Sequence, residues 1–373
     1  MIKKLKLPMG TGPIKREFDL SNADPAYQQI KDMMYDQTDG ALFFMTNCCW
    51  VKRNGIVKYV PREYQREMLF DYNCPKWKNV VCLDSRQLGK TTTAAGYLLW
   101  YATTNSSKDI LVTSYGEKSA IEIMEVIKTI YEYCPDFLKL PMIESNKTTV
   151  KFSNNSRIFC RPTTTKAARG LSPAIIYCDE FAFVGNGESA AKTLEKQQEF
   201  FSAISPALSA SQGKLFITST PQSQTDMFYK IWSGAINKLD ENNLPKPCFW
   251  IIKEKDKLYT NNFIFDTEEE AKTFIIKQEH PELFEAVSKE PCGSNDFMSQ
   301  FADWTKDPMK TEEWAKAERI RVGEELFSRE YCCIGGNSMI YLENNGIVEN
   351  IPIQELYRRL SYESDRPAIT GNN

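Results

Sequence analysis

The stretch CLDSRQLGKTTTAAGYL, residues 82–98, joins an apolar run to a helical pattern through a short polar loop. The apolar run NVVCLDS predicts a buried strand, and KTTTAAGYLLWYATT predicts a helix that begins near Lys90. The loop ends in Gly89, Lys90 and Thr91, which match the end of the phosphate-loop pattern G-x-x-x-x-G-K-[ST]. Such a loop opens with glycine, whereas this sequence has Asp84 in that position.

A phosphate loop needs converging backbone N–H groups, a lysine that reaches the β- and γ-phosphates, and a hydroxyl that holds Mg²⁺. The loop lies between a predicted strand and a predicted helix, which is the context that this chemistry requires. A chance Gly-Lys-Thr at a helix start is the alternative. The predicted nucleotide-binding residues of the loop are Ser85, Arg86, Gln87, Leu88, Gly89, Lys90 and Thr91.

A second candidate motif is AIIYCDE, residues 174–180, an apolar strand that ends in two carboxylates. This arrangement is typical of the Walker B strand of nucleoside triphosphatases. We expect Asp179 to hold Mg²⁺ through water and Glu180 to activate the attacking water. The alternative is that both acids are solvated loop charges.

A third candidate is the end of the strand GKLFITSTP, where Thr218, Ser219 and Thr220 precede Pro221. Polar residues at the carboxyl end of a parallel strand lie at the ligand crevice of an open sheet. An ordinary turn cap before the proline is the alternative.

Predicted strands and helices alternate from residue 79 to residue 221, which predicts an α/β fold with a mostly parallel sheet covered on both faces. Upstream, ALFFMTNCCWVKRNGIVKYV (41–60) predicts strand–turn–strand, with Asn54 and Gly55 as the turn. Residues 231–331 mix the strand PCFWIIKE with charged helices and predict a smaller subdomain and linker.

The composition limits the function classes. With 373 residues, a formal net charge of −3 and 42% hydrophobic residues, the chain has material for two or three domains. No basic excess indicates nucleic-acid binding, so DNA handling requires a local patch or other subunits. No apolar run is long enough for a membrane span, and we find no secretion signal. Eleven cysteines without C-x-x-C and the single His280 argue against zinc and favour a reducing compartment.

The motifs SRQLGKTT, YCDEFAF and ITSTP, with YVPREYQREML and AARGLSPAIIYCDE, together resemble the large terminase subunit of tailed bacteriophages. That protein is a DNA-packaging motor, and the resemblance covers roughly residues 40–332. It implies a RecA-like, additional-strand ATPase fold. It also implies that ATP and Mg²⁺ are the cofactors. The implied partners are double-stranded DNA, the portal and the small terminase subunit, and the implied location is the host cytoplasm. The alternative is a helicase-like ATPase unconnected with capsids.

The resemblance also assigns roles to single residues. Since the family commonly replaces the first loop glycine, Asp84 resembles a family variant and not a damaged loop. Arg86 matches a loop arginine that acts near the γ-phosphate as an arginine finger or switch. Gln65 matches a glutamine that reads adenine. Thr218, Ser219 and Thr220 match a segment that couples hydrolysis to movement.

The segment CIGGNSMI, residues 333–340, resembles the opening block of an intein. The following MIYLENNGIVENIPI predicts a hairpin around Asn345 and Gly346, and QELYRRL predicts a short helix, as at the start of a Hint-type fold. The resemblance implies that Cys333 attacks the carbonyl of Cys332 in an N-to-S acyl shift, for which a thiol is suited.

Residues 333–373 contain no histidine, so this piece lacks a residue that splicing needs. We therefore expect a split intein, whose other half and a nuclease domain lie on a separate chain. The alternatives are the front of an uninterrupted intein, an unrelated tail, or a self-processing precursor whose ATPase is inactive until ligation. The predicted domains are a lead-in and hairpin (1–55), an ATPase core (56–230), a second subdomain and linker (231–332) and an N-intein fragment (333–373).

Overall fold

The computed structural model describes most of the chain between residues 25 and 352. The described ranges are 25–168, 170–236, 249–254, 264–265, 267–278, 280–289, 295–333, 339–344 and 347–352. The α-helices within them are α1 (Pro25–Tyr35), α2 (Gly40–Cys48), α3 (Glu63–Asn73), α4 (Lys90–Thr104), α5 (Glu117–Tyr133), α6 (Ala190–Ser211), α7 (Met227–Ile236), α8 (Glu268–Ile276), α9 (Glu312–Val322) and α10 (Glu324–Tyr331).

The strands in the same described ranges form one large sheet and three small ones. Their bounds are β1 (Trp50–Lys52), β2 (Ile56–Lys58), β3 (Asn79–Asp84), β4 (Asp109–Ser114), β5 (Met142–Ser145), β6 (Thr149–Phe152), β7 (Arg157–Pro162), β8 (Ile175–Asp179), β9 (Lys214–Ser219), β10 (Phe249–Glu254), β11 (Ile264–Phe265), β12 (Phe284–Lys289), β13 (Phe297–Ala302), β14 (Met339–Asn344) and β15 (Ile347–Pro352).

The large sheet has the strand order β13-β3-β9-β8-β4-β7-β6-β5. The strands from β13 to β7 are parallel to their neighbours, whereas β6 and β5 form an antiparallel extension of the edge. The mostly parallel sheet predicted from the sequence is therefore confirmed. Strand β9 lies between β3 and β8, so an additional strand separates the loop strand from the carboxylate strand. The carboxyl ends of all three strands meet at one edge, where open α/β sheets bind ligands.

Both faces of the large sheet are buried, and the strand residues alternate between them. On β4, Ile110 and Val112 belong to one hydrophobic cluster, whereas Leu111 belongs to the other. On β8, Tyr177 and Cys178 divide in the same way. Successive side chains of a strand point to opposite faces, so an unbroken apolar run can serve two cores. No helix in the described ranges is long and apolar enough to cross a membrane.

The prediction for residues 41–60 was wrong in its first half. Residues 40–48 form helix α2, and the hairpin is limited to β1 and β2. Its turn contains Asn54 and Gly55, both with positive φ, as expected. The buried positions of α2 include Ala41, Phe44 and Cys48, which recur with helical spacing. A short apolar run fits a strand or a helix equally well, and packing against α4 decides for the helix.

The sheet also extends beyond the predicted limit of the ATPase core at residue 230. Strand β13 comes from the range assigned to the second subdomain, yet it pairs with β3 along its whole length. Its residues Phe297, Met298 and Ala302 are buried. A separate antiparallel sheet, β11-β10-β12, contains the strand that was predicted in that range. The boundary at 230 therefore divides strands of one sheet.

Helices α9 and α10 pack around an aromatic cluster formed by Trp304, Trp314, Phe327 and Tyr331. Beyond them, β14 and β15 form an antiparallel hairpin in which Asn344 pairs with Ile347. A hairpin was predicted there. The predicted turn residues 345–346, the predicted helix at 354–360 and the lead-in 1–24 lie outside the described residues.

Candidate nucleotide site

The loop between β3 and α4 spans residues 85–89 and contains two left-handed backbone positions. Gln87 has φ +61° and Gly89 has φ +82°. A Cβ atom at Gly89 would lie 2.9 Å from Gln65 Nε2, so glycine is favoured there by both its φ and the available space. The Ser85 N–H donates to the carbonyl of Ala302 at 2.8 Å, which attaches the loop to the end of β13.

Lys90 begins α4 and is paired with Glu180 in the interior of the site. Its Nζ lies 2.9 Å from Glu180 Oε1, and the two side chains are 6% and 23% exposed. Burial opposes the charge of Lys90, but Glu180, Asp179 and Asp84 outweigh it and raise the pKa of the amine. Burial also opposes ionisation of Glu180, yet the neighbouring Lys90 holds the pKa of that carboxyl below its usual value. The pair is therefore an ion pair at neutral pH.

Asp179 is the last residue of β8, and three hydroxyl groups contact its Oδ1 atom. Tyr177 Oη donates at 2.6 Å, Thr91 Oγ1 at 3.1 Å and Thr218 Oγ1 at 3.1 Å. These contacts bring together the loop, the carboxylate strand and the end of β9. Burial, followed by the charge of Glu180, raises the pKa of Asp179.

Glu180 follows β8 in a left-handed conformation, with φ +50°. A non-glycine residue adopts this conformation only where its surroundings hold it. Here its Oε2 atom accepts from the Thr220 N–H at 3.1 Å and lies 3.3 Å from the hydroxyl oxygens of Ser219 and Thr220. The other carboxylate oxygen contacts Lys90. Glu180 thus links the phosphate-type loop to the end of β9.

Arg86 is on the same loop, and its side chain is paired with a residue of α10. Its guanidinium forms an ion pair with Glu330, and its backbone N–H donates to the Glu330 carbonyl at 2.8 Å. Lys310 Nζ donates to the Arg86 carbonyl at 3.2 Å, and the guanidinium lies 5.9 Å from the ring centre of Phe183. The side chain is 52% exposed. Arg86 is therefore paired with the end of α10, and its charge also contributes to the lowered pKa of Glu180.

Gln65 is buried against the loop. Its Nε2 donates to the Leu88 carbonyl at 2.7 Å, and its Oε1 accepts from the Arg62 N–H at 2.9 Å. Both the oxygen and the nitrogen of the Gln65 side-chain amide are therefore hydrogen-bonded within the protein, the oxygen at the start of α3 and the nitrogen at the loop. Tyr64 Oη also donates to the Leu88 carbonyl.

Cys333 is in the hydrophobic cluster of one sheet face, which also contains Val81, Leu83 and Phe297. It lies close enough to the Asp84 carboxyl group for the two to interact electrostatically. It is 9% exposed. Burial raises the pKa of its thiol well above the usual range. Cys332, its neighbour, is partly buried, and burial raises its pKa as well.

Sequence reasoning missed several residues that form this site. Tyr177 could have been found, because it lies two positions before Asp179 and a strand places such residues on one face. Glu330 and Lys310 could not, since no local pattern connects them with a loop more than two hundred residues earlier.

A sequence profile of the family described as "Terminase large subunit, T4likevirus-type, N-terminal" matches residues 81–330. Solved structures of phage large terminases are also similar to this chain. The Thermus phage P74-26 large terminase ATPase domain aligns with a TM-score of 0.46 at 16% identity over 74% of this chain and 94% of that chain. The large terminase of another thermophilic bacteriophage, solved in complex with ADP, aligns with a TM-score of 0.47 at 10% identity over 82% and 75%.

The matched profile includes the loop, the carboxylate strand, β9 and the residue that pairs with Arg86. It spans more than half of the 373 residues. The chain therefore belongs to the T4-like large terminase subunit family, of which it contains the N-terminal region.

Proposed function

We propose that this chain is the ATP-hydrolysing motor part of a viral DNA-packaging terminase, acting in the host cytoplasm. The observation that carries the proposal is the buried ion pair between Lys90 and Glu180 at the joint carboxyl edge of β3, β8 and β9. Phosphoryl transfer needs a positive charge at the phosphates and a carboxylate that acts on the attacking water. Lys90 can supply the first by moving to a phosphate, and this movement releases Glu180 for the second.

In this proposal the backbone N–H groups of residues 87–89 and the amine of Lys90 bind the phosphates, since the N–H groups of Ser85 and Arg86 donate to protein carbonyls. Thr91 and Asp179 would hold Mg²⁺, and their oxygen atoms, 3.1 Å apart, are donors of the kind that this hard cation prefers. When bound, the ion neutralises charge on the phosphates. Tyr177 and Thr218 orient the Asp179 carboxylate by hydrogen bonds.

Glu180 is the proposed general base. While it is paired with Lys90 it cannot accept a proton from water. When Lys90 moves to the phosphates, the carboxylate becomes available for the attacking water. Because Ser219 and Thr220 also contact Glu180, this exchange changes contacts at the end of β9. That supports a role for Thr218, Ser219 and Thr220 in coupling hydrolysis to movement.

Arg86 is the proposed arginine near the γ-phosphate, and Gln65 the proposed adenine-reading residue. Each residue would leave its present partner when the nucleotide binds. That partner is Glu330 for Arg86 and the Leu88 carbonyl for Gln65. Double-stranded DNA, a portal and a small terminase subunit are the proposed partners.

The test of this function is Mg²⁺-dependent ATP hydrolysis by the purified chain with and without double-stranded DNA. We expect hydrolysis that requires Mg²⁺ and increases when the duplex is added. A chain that neither binds nor hydrolyses ATP contradicts the proposal. Strand separation on a forked duplex, without any packaging activity beside a portal, favours the helicase-like alternative.

We further propose that residues 333–373 are the N-terminal fragment of a split intein. The support is the sequence block that begins at Cys333 and the β14–β15 hairpin that follows it. In the first step the Cys333 sulfur attacks the Cys332 carbonyl carbon. The peptide C–N bond breaks, the released amine takes the thiol proton, and a thioester forms. A separate chain would supply the second intein half and the nuclease domain.

The burial of Cys333 affects when this step can occur. A thiolate is the reactive species, and burial both blocks access to the sulfur and disfavours its ionisation. We infer that the acyl shift requires the partner chain to move Cys333 out of the cluster that it shares with Val81 and Leu83.

The splicing proposal is tested by measuring the intact mass of this chain after co-expression with the reading frame that encodes the second intein half and the nuclease domain. We expect a ligated product and a released fragment of residues 333–373. Cys333→Ala should abolish ligation and leave nucleotide binding intact. The matched control is Cys332→Ser, which keeps the attacked carbonyl and should still ligate. Ligated product from the Cys333→Ala chain contradicts the assignment.

The proposed division of the chain follows from these roles. In this proposal residues 1–55 form the lead-in and hairpin, and residues 56–230 form the ATPase core, to which we add β13 because it pairs with β3. The remainder of 231–332 forms the second subdomain and linker, and 333–373 form the intein fragment.

A further inference from the structure

Asp84 occupies the position at which a phosphate loop opens with glycine, and it is a fully buried carboxyl group. It is the last residue of β3 and is 0% exposed. Neither of its oxygen atoms has a hydrogen-bond partner among the described residues. A buried carboxylate without donors is costly, so either a nearby charge or a proton has to compensate.

Five ionisable groups of the described residues interact electrostatically with Asp84, whereas the neighbouring strand β13 places Ala302 beside it. They are Tyr64 and Tyr72 of α3, Lys90 of α4, Glu180 after β8 and Cys333 after α10. Lys90 is the one cation among them, and its amine is already 2.9 Å from Glu180. Burial raises the pKa of Asp84 to about 7, with Lys90 opposing this and Glu180 adding to it.

The other two carboxylates of the site have donors that satisfy their ionised forms. Asp179 accepts from three hydroxyl groups, and Glu180 accepts from Thr220 and contacts Lys90. Asp84 has none of these. If the site takes up a proton, Asp84 is therefore the group that gains most from it.

We propose that Asp84 is a positioning residue for Lys90 that takes up a proton from solvent when a nucleotide polyphosphate binds. The inference rests on the proposed function. The polyphosphate brings negative charge into a site where Asp84, Asp179 and Glu180 already face the single amine of Lys90. Lys90 stays protonated and moves from Glu180 to the phosphates. The proton enters a carboxyl oxygen of Asp84, which then no longer competes with the phosphates for the amine.

The direction of the pH dependence follows from linkage. An anion next to Asp84 favours its neutral form, so the bound complex holds more protons than the free protein. Affinity for the nucleotide must then fall as pH rises above the pKa of Asp84 in the free protein. We expect a loss of about tenfold from about pH 7 to about pH 8.5, with roughly one proton taken up per nucleotide near pH 8.

The experiment is titration calorimetry with a non-hydrolysable ATP analogue and Mg²⁺, in two buffers of different ionisation heat at several pH values. Wild-type protein should show proton uptake and the tenfold loss of affinity. Asp84→Asn, which has the shape of the neutral carboxyl group, should bind with nearly constant affinity over this range and without the additional proton. Asp226→Asn is the matched control, since Asp226 is another buried carboxyl group with a raised pKa, about 6, that caps α7. It should retain the wild-type pH dependence.

The outcomes separate the two hypotheses. If the wild-type chain binds no nucleotide at any pH, the proposed function is wrong. Binding without proton uptake, or an Asp84→Asn chain with the wild-type pH dependence, overturns the role of Asp84 and leaves the function intact. If the Asp84→Asn chain fails to fold, the number of protons that the wild-type chain takes up on binding the nucleotide still tests the inference.

Discussion

The nucleotide loop and the cysteine junction at residues 332–333 are both identified by short motifs, but their surroundings differ. At the loop, Lys90 is paired with Glu180, and the Thr91 hydroxyl donates to Asp179 at the end of β8. At the junction, Cys333 is enclosed in a hydrophobic cluster and Cys332 is half-buried.

The difference shows that a short motif indicates which reactive group is present. The residues packed around that group decide whether it is in a reactive charge state and accessible. The polar contacts of the loop hold Lys90 and Glu180 in their charged forms. The apolar contacts of the junction hold the Cys333 thiol in its neutral form. We therefore expect the loop to act in the chain as it stands and the junction to act only after a rearrangement.

The largest expected effect comes from removing the amine of the loop. Lys90→Ala should lower ATP hydrolysis about a thousandfold, because a preorganised charge on the phosphates is lost. Steady-state hydrolysis measures the change. The matched control is Lys78→Ala, since Lys78 is exposed and its amine donates to the exposed Gln212 side chain, away from the loop. Hydrolysis that survives in Lys90→Ala would remove the loop from the mechanism.

Glu180→Gln should lower hydrolysis by about a hundredfold and retain nucleotide binding, because the amide keeps the shape but cannot accept a proton from water. Single-turnover hydrolysis and equilibrium binding separate the two effects. Equal losses in both would mean that Glu180 serves binding and not the chemical step.

The junction provides the next effect. Brief alkylation of the native chain should modify Cys333 about tenfold more slowly than Cys332, since burial limits access and raises the thiol pKa more strongly at Cys333. Peptide mass spectrometry measures both sites in one sample. In urea the two rates should become similar. Fast modification of Cys333 in the folded chain would contradict the closed junction.

The smallest effect concerns the connection between the two regions. Glu330 lies three residues before Cys333 and forms an ion pair with Arg86. The Glu330→Gln substitution removes the negative charge of that pair. Because the Arg86 side chain is half-exposed, we expect only a two- to fivefold change, of the order found for exposed ion pairs. The change should appear in the rate of hydrolysis at saturating ATP. Glu325→Gln, at an exposed position of α10, is the control. Identical rates in both variants would show that Glu330 does not restrain Arg86.

Much of the sheet and of the loop region could be predicted from the sequence. The strands before the loop, at residues 175–179 and at residues 214–219 are apolar runs that end in polar residues, a pattern that is local. Helix α2 was not predictable in this way, because its apolar residues suit a strand as well. Strand β13 was missed because its partner β3 is more than two hundred residues away in the chain.

The sequence by itself determined the chemical types present: a phosphate-type loop, two adjacent carboxylates, a hydroxyl-rich strand end and a cysteine junction. Short spacings define these, and the backbone geometry of one strand or one loop imposes them. Only the tertiary structure decided the pairing of Lys90 with Glu180, of Arg86 with Glu330, and the burial of Asp84 and Cys333. Those contacts join residues far apart in the chain, and their charge states depend on solvent exclusion, which no local pattern encodes.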